Sequence, residues 1–284
     1  MKLPFEVDLR GQVVVVTGGT GVLCSVMARA LAQCGAKVAV MSRHQDKVDA
    51  LAASIGKDGG MAIGVAGDVT SRESLDAANK VITEKIGACT LLLNGAGGNH
   101  PKGTAGREVL DPAGLRDPAA GTSFFDLELE GIRYVFDLNY VGTILPTQVF
   151  GRGMAERGRG NIINVSSMSS VRPLTKVMGY SNAKAAVNNL TQWLAVHLAG
   201  TGVRVNAIAP GFFLTEQNRT LLTKPDGSRT PRANTIVAHT PMRRFGEPGE
   251  LLGALLWLAS DSASGFVTGA IIPVDGGFSA FSGV

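Results

Sequence analysis

Tyr180 and Lys184 stand four positions apart in the stretch from Ser166 to Lys184, S-S-M-S-S-V-R-P-L-T-K-V-M-G-Y-S-N-A-K. On a helix, that spacing puts phenol and ammonium on one face, one turn apart. A free phenol titrates near pH ~10, but an adjacent cation stabilises phenolate and lowers that value toward the range where a general acid or base works. Ser167, just after the apolar run Asn161 to Val165, is placed to share a substrate oxygen with the phenol. A Tyr-x-x-x-Lys spacing also arises by chance, so its meaning depends on the elements around it.

The stretch itself reads as strand, polar loop and helix, the helix running to near Ala199. At the start of the chain, Gln12 to Thr17 is a β-branched run ending in Gly18, Gly19, Thr20 and Gly21, followed by helical periodicity over Val22 to Leu31. Such a turn lets backbone N–H groups and a helix N-terminus approach a pyrophosphate, although tight βα turns also need glycine for steric reasons alone. Further strands are predicted at Lys37 to Met41, Met61 to Ala66, Thr90 to Leu93, Arg204 to Ala209 and Ala270 to Val274. Helices are predicted up to Ile55, from a Ser71 cap to about Ile86, over Phe124 to Ala155 with a break around Gly131, and over Glu247 to Ser260. This alternation predicts an α/β chain with a parallel, doubly wound sheet and functional loops at the strands' carboxyl ends. Two segments interrupt it. Residues 98–123 are rich in Gly and Pro and read as an insertion at the active-site mouth; 212–244 are long and polar, with an apolar helical fragment near Leu221, and read as a lid. With no internal repeat, one domain over 1–284 is expected.

Composition narrows the function. A chain of 284 residues with 45% hydrophobic and 18% charged residues can bury a sizeable core. The net charge is +4, yet Lys and Arg are scattered among acids, without the basic run or interleaved aromatics of a nucleic-acid binder. Cys24, Cys34 and Cys89 lack metal-ligand spacing and suit free thiols in a reducing cytoplasm, so no metal is expected. The first ten residues carry Glu6 and Asp8 and do not read as a signal peptide, and no apolar run reaches membrane-spanning length.

Taken in order, these pieces resemble the short-chain dehydrogenase/reductase family over nearly the whole chain. The resemblance rests on the Thr17-Gly18 turn, Asp68 after the third strand, Asn94-Gly95-Ala96-Gly97, Ser167 with Tyr180 and Lys184, and Pro210-Gly211 with Thr215. It implies a Rossmann-like fold with helices on both faces of the sheet. It further implies Tyr180 as proton donor and acceptor, Lys184 lowering its pKa and binding the nicotinamide ribose, Ser167 polarising the substrate carbonyl, and Asn139 supporting a proton relay. The residues it assigns to the cofactor are Gly18, Thr20, Gly21, Val22, Ser42, Arg43, Asp68, Val69, Asn94, Gly95, Ala96, Tyr180, Lys184, Pro210, Gly211 and Thr215. Ser167 is preferred over Ser166 by its spacing to Tyr180, which leaves Ser169 and Ser170 as loop residues; the bland alternative for Asn139 is a helix-surface amide. Three positions depart from the family pattern: Val22 stands where many members have glycine, Cys24 where the last glycine of the turn is usual, and Gly95 replaces the usual second Asn. Cys24 is small enough for close helix–strand packing, yet could crowd the cofactor or make it sensitive to thiol reagents.

An NAD-specific site usually places an acid at the end of the second strand. Here Ser42 and Arg43 occupy that point, which suits a 2′-phosphate, although Arg43 could instead stack on adenine. NADP(H) is therefore expected, with NAD(H) possible. Within the family, segments such as Gly97 to Lys102, Phe136 to Asn139, Pro173 to Lys176 and Phe212 to Arg219 look like the bacterial D-mannonate oxidoreductase (fructuronate reductase) branch. That resemblance implies a small-molecule sugar acid as substrate, a cation for its carboxylate and a homotetramer. Arg219 is the first candidate, followed by Lys176, Arg172, His100 and Lys102. A reductase of carrier-bound 3-oxoacyl chains, a polyol or ketose reductase and a non-catalytic cofactor sensor remain as competing readings.

Overall fold

The computed structural model describes residues 7–116, 121–214 and 222–283. Seven strands, β1 (Val13–Thr17), β2 (Lys37–Ser42), β3 (Met61–Ala66), β4 (Leu91–Asn94), β5 (Gly160–Val165), β6 (Val203–Pro210) and β7 (Ile271–Val274), form one parallel sheet in the order β3-β2-β1-β4-β5-β6-β7. The order reverses between β1 and β4, which opens a crevice at their carboxyl ends. The helices are α1 (Val22–Gln33), α2 (Gln45–Lys57), α3 (Arg72–Ile86), α4 (Leu129–Phe136), α5 (Gly142–Glu156), α6 (Met178–His197), α7 (Pro231–His239) and α8 (Leu252–Ala259).

Alternation along the strands feeds two cores. Val14, Val16, Leu91, Leu93 and Ile163 face α1, α2 and α8, whereas Val13, Val15, Leu92 and Ile162 face α3, α5 and α6. Continuous apolar runs follow from this burial on both sides. At the carboxyl ends of β4 and β5, the α5/α6 layer receives a pair of amides: Asn94 and Asn164 are register partners, and Asn94 Nδ2 donates to Asn164 Oδ1 at 2.9 Å. The same nitrogen donates to Thr147 Oγ1 of α5 at 3.0 Å, and Asn164 Nδ2 donates to Thr191 Oγ1 of α6 at 2.9 Å. The helices that flank the site are thereby fixed axially against the sheet, where hydrocarbon contacts alone would allow sliding.

The predicted break around Gly131 falls at Leu127 and Glu128, which are extended between a 3₁₀ turn at Phe124–Asp126 and α4. Gly131 lies within α4, and a Cβ there would come within 2.5 Å of Gly103 N. The glycine serves close approach: it lets the insertion rest on the helix. A π-helical turn at Asp137–Val141 joins α4 to α5 without interrupting the helical path. The described part of the insertion includes short 3₁₀ turns at Pro101–Gly103 and Pro112–Arg116, and is tied to the loop before α6 by Ala105 N donating to Lys176 O at 2.8 Å. In 212–244, α7 and Leu222 pack beneath Phe212, Leu214 and Phe245. The helical fragment expected near Leu221 lies at the edge of 215–221, outside the described residues. No helix among the described residues is long and apolar enough to cross a membrane.

Candidate active site

The glycine turn after β1 forms one wall of a cleft of about 670 Å³, lined by Gly18, Thr20, Gly21, Ser42, Arg43, Asp68, Val69 and Ala96. Gly18 takes φ +62°, and a Cβ there would come within 2.7 Å of Ala96 Cα, so the two loops touch through backbone alone. Thr17 Oγ1 braces the opposite loop by accepting from Gly95 N at 3.0 Å and Ala96 N at 3.3 Å. At the far end, Ser42 Oγ is buried without a hydrogen-bond partner, beside Arg43, His44 and Lys47. A glycine cradle, a helix N-terminus and an unpartnered hydroxyl among basic groups fit a dinucleotide.

Asp68 Oδ1 is held by Thr70 N and Thr70 Oγ1. Asn94 is the exception among the residues assigned to the cofactor: its side chain points into the α5/α6 layer, 2% exposed, and only its backbone leads to the cleft. Pro210 ends β6, and Gly211 N donates to Val274 O at 2.9 Å, holding the 210–211 turn against β7. Thr215 lies outside the described residues.

Cys24 does not crowd the cleft. Its side chain is buried and its Sγ approaches Gly95 O at 3.7 Å, on the inner side of the loop. Burial pushes the thiol up to about 11, against the thiolate character that reagents require.

Tyr180 and Lys184 share a face of α6 as predicted, with Lys184 Nζ 5.8 Å from the phenol ring centroid. The electrostatics differ from expectation. Lys184 Nζ donates to Val165 O at 2.8 Å and sits over the ring. Burial holds Tyr180 above its ordinary value, with a hydrogen bond to Ser167 pulling it down. Lys184 is itself depressed to about 8, again by burial.

Ser167 follows β5 as the N-cap of the 3₁₀ turn Met168–Ser170, and its Oγ accepts from Ser169 N at 3.2 Å and Ser169 Oγ at 3.0 Å. Ser166 turns the other way, donating to Asn188 Oδ1 at 2.5 Å. Ser169 and Ser170 are thus part of the device that aims Ser167, which their loop assignment missed. Asn139 is fully buried in the π turn rather than on a helix surface. Its Nδ2 donates to Gly98 O at 2.7 Å and Val135 O at 2.8 Å, while Oδ1 accepts from Gly98 N at 3.2 Å. A Cβ on Gly97 would come within 2.6 Å of Asn139 Oδ1 and 3.2 Å of Lys184 Nζ, so the strand end, π turn and α6 converge on one glycine.

Of the candidate cations, Lys102 is paired with Glu128 and Glu130, both at 3.0 Å, and Arg172 Nε donates to Ser279 O at 3.2 Å. His100 Nδ1 accepts from Lys102 N at 3.2 Å, and its ring packs on Tyr134. Lys176 lines a smaller hollow of about 270 Å³ with Arg107, Ser123 and Met178. Arg219 lies outside the described residues.

A family model described as Enoyl-(Acyl carrier protein) reductase matches residues 23–279. The chain is 52% identical over 282 residues to the uncharacterized oxidoreductase UxuB of Bacillus subtilis (strain 168), covering 99% of this chain and 100% of that one. A Haemophilus influenza protein described as a D-mannonate oxidoreductase, solved with bound NAD, has a TM-score of 0.92 at 46% identity over 98% of each chain. A gluconate 5-dehydrogenase from Burkholderia cenocepacia J2315, solved with NADP and tartrate, has a TM-score of 0.82 at 29% identity over 97% of this chain and 98% of that one.

Proposed function

The chain belongs to the short-chain dehydrogenase/reductase family and is an NAD(P)-dependent oxidoreductase; from that premise we propose that it interconverts a keto sugar acid, such as fructuronate, with its hydroxy acid, such as mannonate, preferring NADP(H). The observation that carries the substrate class is its similarity to the Haemophilus protein described as a D-mannonate oxidoreductase. The gluconate 5-dehydrogenase structure is a complex with NADP and tartrate, a hydroxy acid. Lys176, held to the insertion four residues before Tyr180, supplies a cation for a carboxylate near the reacting atoms. The reading includes a homotetramer of single-domain chains over 1–284, acting in the cytoplasm, with 98–123 walling the site and 212–244 covering it.

When bound, the nicotinamide gives or takes a hydride at the substrate's carbonyl carbon. The protein's part is the oxygen. Tyr180 gives its hydroxyl proton to that oxygen during reduction and takes it back during oxidation, while Ser167 Oγ donates to the same oxygen and orients it. The phenol in its neutral form donates that proton, and in this reading Lys184, buried beside it, holds the cofactor ribose. Asn139 keeps the Gly97-Gly98 backbone in place between the two.

Following absorbance of the reduced nicotinamide across keto sugar acids, uncharged ketoses and acetoacetyl thioesters tests the substrate. The highest kcat/KM belongs to a keto sugar acid; a higher value for the ketose or thioester would replace this reading with a polyol or acyl-chain reductase. Tyr180→Phe is expected to lower kcat by about 10²–10⁴-fold with cofactor affinity retained. Unchanged turnover in that variant would remove Tyr180 from the chemistry.

A further inference from the structure

One stripe of α6 is fastened to the end of β5. Lys184, Asn188 and Thr191 follow one another at helical spacing. They meet Val165 O, Ser166 Oγ and Asn164 Nδ2, respectively, at 2.8, 2.5 and 2.9 Å. Asn188 also reaches beyond the strand. Its Nδ2 donates to Ser170 Oγ at 2.7 Å, and Ser170 Oγ in turn donates to Ser167 O at 2.5 Å. One side-chain amide therefore grips the chain on both sides of Ser167: its oxygen holds the residue before, and its nitrogen holds the turn after.

We propose that Asn188 is a positioning residue that sets the Ser167 hydroxyl relative to Tyr180, an inference that rests on Ser167 and Tyr180 acting on the substrate oxygen. Ser167 lies in the turn that follows β5 and Tyr180 lies on α6, and their relative placement depends on what joins those elements near the reacting atoms. Asn188 lies two turns beyond Tyr180 on the same helix, so it ties the Ser167 turn directly to the element that carries the phenol. The position requires a neutral group that accepts and donates at once. A hydrocarbon makes neither bond, and a carboxylate loses the donor to Ser170. With the amide gone, Ser167 keeps its bonds to Ser169 and Ser166 Oγ still reaches Lys184 O at 3.4 Å, but the turn after Ser167 loses its line through Ser170 to α6.

The test compares Asn188→Leu, Ser170→Ala and Thr191→Val with the wild-type enzyme. None introduces a charge beside Lys184. Asn188→Leu and Ser170→Ala are expected to lower kcat by about tenfold or more, the scale of a small misplacement of a reacting group. Cofactor Kd and the pH midpoint of kcat stay within the error of wild type. The double variant is expected to be no slower than the worse single one, since both cut the same line. Thr191→Val, on the same stripe but away from Ser167, lowers Tm and leaves kcat within about twofold. Wild-type kcat in folded Asn188→Leu, or an equal loss in Thr191→Val, overturns the inference. If Asn188→Leu does not fold, Ser170→Ala decides, because it breaks the line outside the helix. Ser167→Ala separates the two levels: wild-type turnover there removes the premise about Ser167, whereas its loss alongside an unaffected Ser170→Ala overturns only the role of Asn188.

Discussion

The sulfur of Cys24 fills the space that a side chain at Gly95 would need. A Cβ built on Gly95 overlaps Cys24 Sγ and comes within 2.9 Å of Thr17 O, while Gly95 is not among the residues with positive φ. The absence of a side chain at Gly95 is therefore a matter of room. In sequence, a Cys in the glycine turn and a Gly in the Asn-Gly-Ala-Gly strand end are two unrelated departures from the family pattern. In the structure they are one exchange of volume across the contact between α1 and the β4 loop.

Gly95→Asn alone is accordingly expected to destabilise the protein by about 1–3 kcal/mol through overpacking and to weaken cofactor binding by displacing Ala96. Adding Cys24→Gly should restore a substantial part of both, leaving the Thr17 carbonyl contact. Urea midpoints and cofactor titration of the two single variants and the double variant measure the coupling. Additive losses would mean that the two positions do not share the space.

The sheet was legible because each strand is a β-branched or apolar run closed by glycine, Asn or Ser, and burial on both faces leaves no other use for such runs. Tyr180 and Lys184 were legible because four residues on a helix fix a common face whatever surrounds them. What Lys184 does to Tyr180 was not: spacing gives the face, but the Val165 carbonyl decides where the ammonium points. The π turn at Asp137–Val141 has no periodicity of its own and so was not visible in the sequence. Lys47 and Asn188 were missed because each acts through an element other than its own, α2 toward the end of β2 and α6 toward the β5 loop.

Lys184 gives a signed dependence of stability on pH. Its folded value of about 8 lies below the ordinary 10.5, so below pH 8 the charge is carried in both states and the cost of burying it is fully present. Between about 8 and 10.5 the folded protein releases a proton that the unfolded chain keeps, and stability rises with pH. The buried thiols Cys24 and Cys89, raised to about 11 and about 12, act in the opposite direction above pH 9. Comparing cofactor-free wild type with Lys184→Met isolates the lysine. The variant's advantage at pH 7 is expected to shrink by up to about 3 kcal/mol by pH 10.5. A difference independent of pH would show that the ammonium is not desolvated.

At the adenine end, Arg43 and Lys47 line the cleft with the unpartnered Ser42 hydroxyl. A 2′-phosphate there gains charge-assisted hydrogen bonds that a 2′-hydroxyl cannot match. Arg43→Ala should lower the NADP to NAD ratio of kcat/KM by about tenfold or more, with Lys47→Ala acting in the same direction and more sensitively to salt. An unchanged ratio in Arg43→Ala would assign that guanidinium to stacking on adenine.

Lys176 combines a cation with a backbone conformation that side chains rarely adopt. Its φ is +29°, and its carbonyl accepts from Ala105 N of the insertion at 2.8 Å. A non-glycine residue in such a conformation costs about 1–3 kcal/mol, which Lys176→Gly relieves and Lys176→Ala does not. Both variants remove the ammonium. If the ammonium recognises a substrate carboxylate, the two should lose kcat/KM for the keto sugar acid by a similar factor, about tenfold to a hundredfold, while turnover of the uncharged ketose is kept. They should then differ only in Tm, with Lys176→Gly the higher. If the position matters through its backbone, Lys176→Ala should behave like wild type on both substrates and Lys176→Gly should not. That result would take the carboxylate contact away from Lys176.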